Sequence, residues 1–287
     1  MSVPLADIAL GVLVDTGLKA TVGLGLALVL ARALKASSAS ARHAVLACGL
    51  ATGPLLLIQR ASLAAPELGL SLPGQLSAGL FALWALGALL VLLPFGRGLA
   101  VLTALASRGH REEGLIWSPD LEVPVTFART ILLPQAAREW PASEQRAAIL
   151  HERAHLQRGD WWVHALAWIS CALLWFHPLA WWSRRQLMLE AERAADDRVV
   201  LAGVQPSAYA QQLLGLVGSP GAGLGIASSN TAVRVHAILG APNRSLVRWP
   251  ALALSFALTW TLAGPVTAFA AWTPPDQLHC DPTGDSP

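Results

Sequence analysis

One stretch constrains this chain more than any other: ILHERAHLQRGDWWVHALAWISCALLWFHPLAWW, Ile149–Trp182. Its first part, His151-Glu152-Arg153-Ala154-His155, has the spacing of a hydrolytic metal site. On a helix, residues i and i+4 share a face, so His151 and His155 can hold one Zn²⁺ through their imidazole nitrogens. Glu152, one position on, lies beside the metal. There it can act as general base toward a water that zinc acidifies to a pKa of about 7. The second part, Trp161–Trp182, runs 22 residues without an Asp, Glu, Lys or Arg. That matches a membrane span, which needs about 20 apolar residues. The fold therefore has to set water-dependent chemistry directly against a segment that avoids water.

The whole chain leans the same way. It is 54% hydrophobic and 13% charged, against roughly a quarter charged in a soluble chain, which predicts an integral membrane protein. Five apolar segments stand out: Gly11–Leu34, Ala44–Ile58, Leu76–Gly96, Trp161–Trp182 and Trp249–Trp272. The third and fifth are long enough to span. The second is short before Arg60 and contains Gly53-Pro54, so it is expected as a shortened span. Asp15 and Lys19 are spaced i,i+4 and can pair on one helix face. They are expected near the outer interface, with the span itself nearer Leu18–Leu34. The first charge is Asp7, so the basic start of a cleavable signal peptide is missing and the first segment is expected to stay. The net charge is +2 with no dense Lys/Arg run, which speaks against direct nucleic-acid binding. Cys48, Cys171 and Cys280 are too scattered for a disulfide framework or a CxxC site.

Positive charge predicts the orientation. Arg32, Lys35 and Arg42 place the first loop in the cytosol. Arg60 and Glu67 balance in the next. The region Arg97–Arg248 holds 15 of the 20 Lys and Arg and should be cytosolic. The tail after Trp272 carries Asp276, Asp281 and Asp285 and should lie outside. These assignments agree only if segments one, two, three and five cross and segment four does not.

The metal site leads to the same result. A catalytic zinc needs a third protein ligand and an open position. Downstream, LEAERAADDRVV (Leu189–Val200) has a helical pattern, with Glu192 and Asp196 one turn apart on one face. One carboxylate can bind the metal while the other accepts the second N–H of a ligating histidine. Glu190, Asp197 and His177 are the rivals. Glu190 points away from that face and can pair with Arg193, and Asp197 follows Arg193 by four. Both read as solvated ion pairs. His177 precedes Pro178 at a helix break, where it can cap, pack or lie near a substrate carbonyl. Glu192 is the expected third ligand. A crossing segment four would carry it about 33 Å from the histidines at ~1.5 Å per residue. Segment four is therefore expected as a bent hairpin or buried core helix, broken at Phe176-His177-Pro178. Its tryptophans suit a body lying at the bilayer interface.

The other residues read more plainly. Pro141 or Ser143 starts the motif helix. His43 sits at a membrane boundary, His110 in a charged patch, His164 in the packed hairpin, His236 in an amphipathic stretch and His279 in the tail. Tyr209, the lone tyrosine, fits core packing or a surface position better than contact with a transition-state oxyanion. Ser219–Asn230, SPGAGLGIASSN, reads as a flexible linker rather than a lid or cleavage site.

HExxH followed by Arg158-Gly159-Asp160, by WFHPLAWW and by EAERAADD resembles the membrane zinc metallopeptidases of the BlaR/MecR antibiotic-sensor type. Arg42-His43 and VPVTFARTILLP (Val123–Pro134) fit as well. The likeness runs over roughly residues 10–272, and Ala148–Val200 is its specific centre. It implies a gluzincin-type site with one Zn²⁺ on His151, His155 and Glu192, Glu152 as catalytic base and Asp196 as the partner behind a ligand. His177 is carried as a candidate substrate or transition-state contact. Pro124–Pro134 would be a β-rich edge on which an extended substrate pairs. Two departures stand out. Ala195-Asp196 replaces a frequent Cys-Asp, and residues 273–287 are too few for the sensor domain with its Ser-x-x-Lys acylation motif. Neither Lys19 nor Lys35 follows a serine by three, so covalent β-lactam sensing is not expected.

The expected architecture is a mainly α integral membrane protein with four transmembrane helices. These carry a cytosolic α+β gluzincin-like zinc metalloprotease domain with a membrane-associated helical hairpin. Residues 1–96 would form a three-helix transmembrane region, 97–248 the protease domain, 249–272 the fourth helix and 273–287 a short outer tail. The location would be a bacterial-type plasma membrane, with both termini outside and the lipid bilayer as partner. The resemblance implies cleavage of a cytosolic protein such as a winged-helix transcriptional repressor, in signal transduction, with self-cleavage also open. The alternatives are a housekeeping protease for misfolded membrane proteins and a non-catalytic zinc-containing adaptor. Glu152 beside both histidines speaks against the adaptor, since a structural site has no use for a base.

Overall fold

A computed structural model describes residues 5–62, 73–217 and 226–240. Three apolar helices come first: α1 (Leu5–Ala33), α2 (Ala39–Ser62) and α3 (Gly74–Arg108). Among the described residues, these three are long and apolar enough to cross a membrane. The second is longer than expected, because the helix starts at Ala39 and takes in Arg42 and His43. Pro54 sits inside it without ending it. The fifth apolar segment, Trp249–Trp272, and the tail after it lie outside the described residues.

Close approach of α1 and α2 depends on a missing side chain. A Cβ on Gly49 would stand 2.4 Å from Ala27 Cβ, so the backbones come together as small residues permit between membrane helices. Asp15 and Lys19 pair as expected, at 2.6 Å. Their placement differs from the expectation of an interfacial pair. Lys19 is 1% exposed and Asp15 6%, so both lie within the helix bundle. An ion pair is retained inside apolar surroundings only when each charge finds the other.

The α3 helix runs 35 residues, about 52 Å at ~1.5 Å per residue and longer than the hydrocarbon core. It does not stop at residue 96, where a domain boundary was expected, but continues to Arg108 and enters a small sheet. Gly109 permits that entry, since a Cβ there would meet Ile116 Cγ2 at 2.3 Å. The sheet comprises β1 (His110–Glu112), β2 (Leu115–Ser118), β3 (Val125–Phe127) and β4 (Thr130–Pro134), in the order β1-β2-β4-β3. β2 and β4 are parallel, with Trp117 opposite Leu133, and β3 runs antiparallel to β4, with Thr126 opposite Ile131. Ile131, Leu132 and Leu133 are buried, which anchors β4 in the interior and leaves β3 at the edge.

Five helices complete the described fold: α4 (Ala142–Arg158), α5 (Asp160–Leu173), α6 (Pro178–Leu201), α7 (Pro206–Val217) and α8 (Ile226–Leu239). Pro141 immediately precedes α4, where its missing N–H costs nothing. Segment four is bent as expected. α5 ends at Leu173, and α6 starts at Pro178 with His177 before it. Trp84 and Trp175 hold this bend against α3: Trp84 Nε1 donates to Leu173 O at 3.0 Å and Trp175 Nε1 to Trp84 O at 3.1 Å. A core of Leu24, Leu46, Leu50, Cys171, Leu174 and Leu187 joins α1, α2, α5 and α6. The expected linker Ser219–Asn230 is corrected in part, because residues 226–230 belong to α8.

Gly49→Ala should lower stability by about 1–3 kcal/mol, because overpacking leaves the Ala27 backbone nowhere to move. Gly25→Ala, with nothing within 4 Å of the added Cβ, should be neutral. Thermal unfolding of the detergent-solubilised variants compares the two.

Candidate metal centre

Each group of the centre comes from a short local signal. α4 puts His151 and His155 one turn apart. Gly159 then ends α4 with φ +69°, a left-handed conformation that glycine adopts without a Cβ penalty. The turn aims Asp160, the first residue of α5, back at the helix just completed. Asp160 Oδ2 lies 2.6 Å from His155 Nδ1. Arg158 bonds Asp160 and donates to Ala191 O at 2.8 Å, which ties the turn to α6 beside Glu192. Glu192 and Asp196 face α4 from α6.

These contacts set the tautomers. Tyr209 Oη donates to Asp196 Oδ1 at 2.8 Å. His151 Nδ1 lies 3.0 Å from Tyr209 Oη and 3.2 Å from Asp196 Oδ1. An ionised carboxylate only accepts, so each Nδ1 keeps its proton, and Nε2 is the nitrogen that each ring turns toward Glu192 and gives up to a metal. The two Nε2 atoms are 3.1 Å apart. Glu192 Oε2 is 3.4 Å from one and Oε1 3.6 Å from the other. Lone pairs converging so closely repel unless a cation or proton lies among them. Ligands about 2.0–2.2 Å from a tetrahedral zinc stand roughly 3.3–3.6 Å from one another. The separations found here lie at or near that range. Of the described residues, His151, His155 and Glu192 form the group able to hold a metal ion.

The charges follow from the same contacts. Burial opposes a cation on His151, but the carboxylates of Asp196 and Glu192 outweigh it and raise the pKa to about 9. Burial would likewise raise Glu192, yet His151 and Arg234 drive it well below the usual carboxylate range. Against its own burial, Asp196 is held at about 2 by Arg234 and His151. Asp160 is held at about 2 by His155 and Arg158, again against burial. Tyr209 is pushed up by burial and then by Asp196, so it stays a phenol able to donate.

Glu152 is buried at the edge of the cluster. Its Oε2 lies 2.7 Å from Thr126 Oγ1 on β3, and its own carbonyl lies 2.9 Å from the same hydroxyl. The hydroxyl has one proton and serves one of them at a time. A cleft of about 350 Å³ opens over Glu152 and the histidines, walled on one side by Val123–Thr126. β3 is an edge strand there, so of the edge that the resemblance implied over Pro124–Pro134 only Val125–Phe127 lies at the edge, while β4 is paired on both sides.

Several residues differ from expectation. His177 is not brought to this cleft: its Nε2 lies 2.8 Å from Thr21 Oγ1 on α1, and the intervening helix sets it about 22 Å from Glu192. Glu190 is buried rather than solvated, held by Arg42 at 2.7 Å and Arg193 at 2.8 Å. His43 is more than a boundary residue. It is buried, lines the cleft and stands 3.8 Å from Asp160 Oδ1. Tyr209 is a core residue that also reaches His151. Arg234, on α8, was missed: it grips Asp196 at 2.8 and 2.7 Å and Glu192 Oε2 at 2.9 Å. Its only sequence signal was a lone arginine in an amphipathic stretch.

A buried glutamate next to two metal-facing histidines, with an open strand edge across the cleft, suits hydrolysis of an extended peptide. Together with three helices of membrane-spanning length, this defines a membrane metallopeptidase. Residues 26–238, about three quarters of the chain, match the BlaR1 peptidase M56 family, and the chain belongs to that family of membrane zinc metallopeptidases. No curated protein matches it.

The raised pKa of His151 has a direct consequence for zinc. Below about pH 9 the metal-free site holds a proton that zinc must displace, so zinc affinity should rise about tenfold per pH unit through neutrality. Chelator competition across pH measures it. Asp160→Asn should weaken zinc binding about 10–100-fold by releasing the ring of His155.

Proposed function

We propose that this chain is a membrane-embedded zinc endopeptidase whose centre faces the cytosol. Its substrate would be a cytosolic protein, and a winged-helix transcriptional repressor is the substrate that the BlaR/MecR likeness favours. The observation that carries the proposal is the convergence of two imidazole Nε2 atoms and a carboxylate within 3.1–3.6 Å, beside the buried Glu152. Such a donor set suits one Zn²⁺ held by His151, His155 and Glu192.

When bound, zinc supplies Lewis acidity toward a carbonyl oxygen and toward water. The protein groups account for the rest. Asp160 holds the ring of His155, while Asp196 and Tyr209 hold that of His151. Arg234 fixes both carboxylates of α6. The unpaired edge of β3 can take an extended substrate as an added strand, which lays the scissile bond across Glu152. Glu152 then removes a proton from the attacking water and returns it to the leaving amine. Thr126 steadies one oxygen of that carboxylate and leaves the other free to receive the proton. The apolar cleft walls limit competing water, so these charges act through a low dielectric.

The cytosolic orientation rests on the distribution of Lys and Arg and on the bend at residues 174–177, which returns α6 to the side of α4. Signal transduction rests on the family likeness.

The test compares new protein N-termini in cells expressing wild type and Glu152→Gln at equal levels. A few cytosolic cleavages should vanish in the variant, one of them in a DNA-binding repressor. The variant should keep about one zinc per chain, since Glu152 is not a ligand, while the cleavage rate falls at least about a hundredfold. Identical N-termini in both strains, with a substrate that wild type demonstrably binds, would refute the proposal. A broad set of cleaved membrane proteins would favour the housekeeping reading instead.

A further inference from the structure

A cavity next to the metal centre shares no wall residue with the cleft over it. It measures about 710 Å³ and lies among α1, α2, α6 and α8. Its walls change character along α1. Toward the middle of the helix they are apolar, with Leu28, Val29, Leu179 and Trp182. Toward the end they are basic, with Arg32, Lys35, Arg42 and Arg193 against the acids Glu190 and Asp197. Arg42 and Arg193 are committed to Glu190. Arg32 and Lys35 are exposed, and among the described residues neither side chain has a carboxylate partner. They would add to the helix-terminal charge balance of α1, but that effect alone needs neither an apolar wall nor a cavity. Trp182, also in the wall, is 49% exposed, as suits an amphipathic ring at a bilayer surface.

We propose that this cavity binds one anionic phospholipid, with its phosphate on Arg32 and Lys35 and an acyl chain along Leu28, Val29 and Trp182. The polarity matches both ends of such a molecule, since basic pockets between membrane helices suit anionic headgroups. The sign of the charge favours an anionic lipid over a zwitterionic one. The apolar wall favours a lipid over a free phosphate. The site also backs onto the metal centre. Arg42 lines the cavity while its neighbour His43 lines the cleft, and Glu190 faces the cavity two residues before Glu192.

The test uses the full chain, delipidated in detergent and mixed with equal amounts of phosphatidylglycerol and phosphatidylcholine. Retained lipid is counted by native mass spectrometry. Wild type should retain phosphatidylglycerol selectively. The exposed double variant Arg32→Gln/Lys35→Gln should lose about thirtyfold of that preference, and Arg32→Lys/Lys35→Arg should keep it. Inorganic phosphate should not displace the lipid. Absence of selectivity in wild type overturns the proposal. Selectivity unchanged in the glutamine variant does too, as for annular lipid or a cavity filled by residues 249–272. Displacement by phosphate alone would overturn the lipid assignment. Lipid retention is also read in the Glu152→Gln chain, so its result stands apart from the success or failure of the peptidase proposal.

Discussion

Everything in this fold answers to the need to bring Glu192 within bonding distance of two histidines that lie on the far side of a long apolar segment. A helix cannot make that return, so the apolar run has to break. It breaks at residues 174–177, where Pro178 cannot continue the preceding helix and His177 takes an extended conformation. The remaining 14 residues of α5 are about 21 Å long and too short to cross a bilayer. The chain must then cover the apolar surface of α5 in another way. It does so by packing α5 and α6 against α1 and α2, and by locking the bend to α3 through Trp84 and Trp175. The membrane helices thus form the wall on which the metal centre is built.

That arrangement makes the membrane helices part of the site's electrostatics. Arg42 and His43 are adjacent on α2. One reaches Glu190 and the other approaches Asp160. Glu190 precedes Glu192 by two positions, and Asp160 orients His155. A shift of α2 along its axis would therefore disturb both helices that carry the proposed zinc ligands. The buried Arg42–Glu190 ion pair adds little net stability against apolar replacements, but breaking it leaves an uncompensated charge, while His43 and Asp160 make a close approach at 3.8 Å. Their value here is geometric, since they fix the relative position of α2, α5 and α6.

The sequence showed what depends on local periodicity. The i,i+4 pairs His151/His155 and Glu192/Asp196 were legible because a helix has one spacing for a shared face, and the bend followed from requiring the two pairs to meet. The pairing of Asp15 with Lys19 was legible for the same reason, but its depth was not, because burial is decided by α2 packing against Gly49 and its neighbours. Glu190 was misjudged likewise: its local partner Arg193 was visible, while Arg42 arrives from α2. Arg234 and His43 escaped because their partners are remote in sequence. His177 was drawn to the site by its neighbours in the chain, yet the helix that follows it carries the site away.

Asp160 shows how a local conformation can carry long-range order. Its carboxylate reaches His155 only because Gly159 takes φ +69°, a region that L side chains enter at a cost. A β-branched residue there would strain the turn or straighten it, and α5 would then leave α4 along a different axis. The same turn places Arg158 on the carbonyl of Ala191, so α6 would lose its anchor beside Glu192. The Arg-Gly-Asp tripeptide thus joins three demands in three residues: a reversal of the chain, an acceptor for a ring nitrogen and a clamp on the helix that supplies the third proposed ligand. Alanine at position 159 would satisfy the helix propensity of both neighbours and still fail the site, because extending α4 by one residue swings Asp160 about 100° around the helix and away from His155.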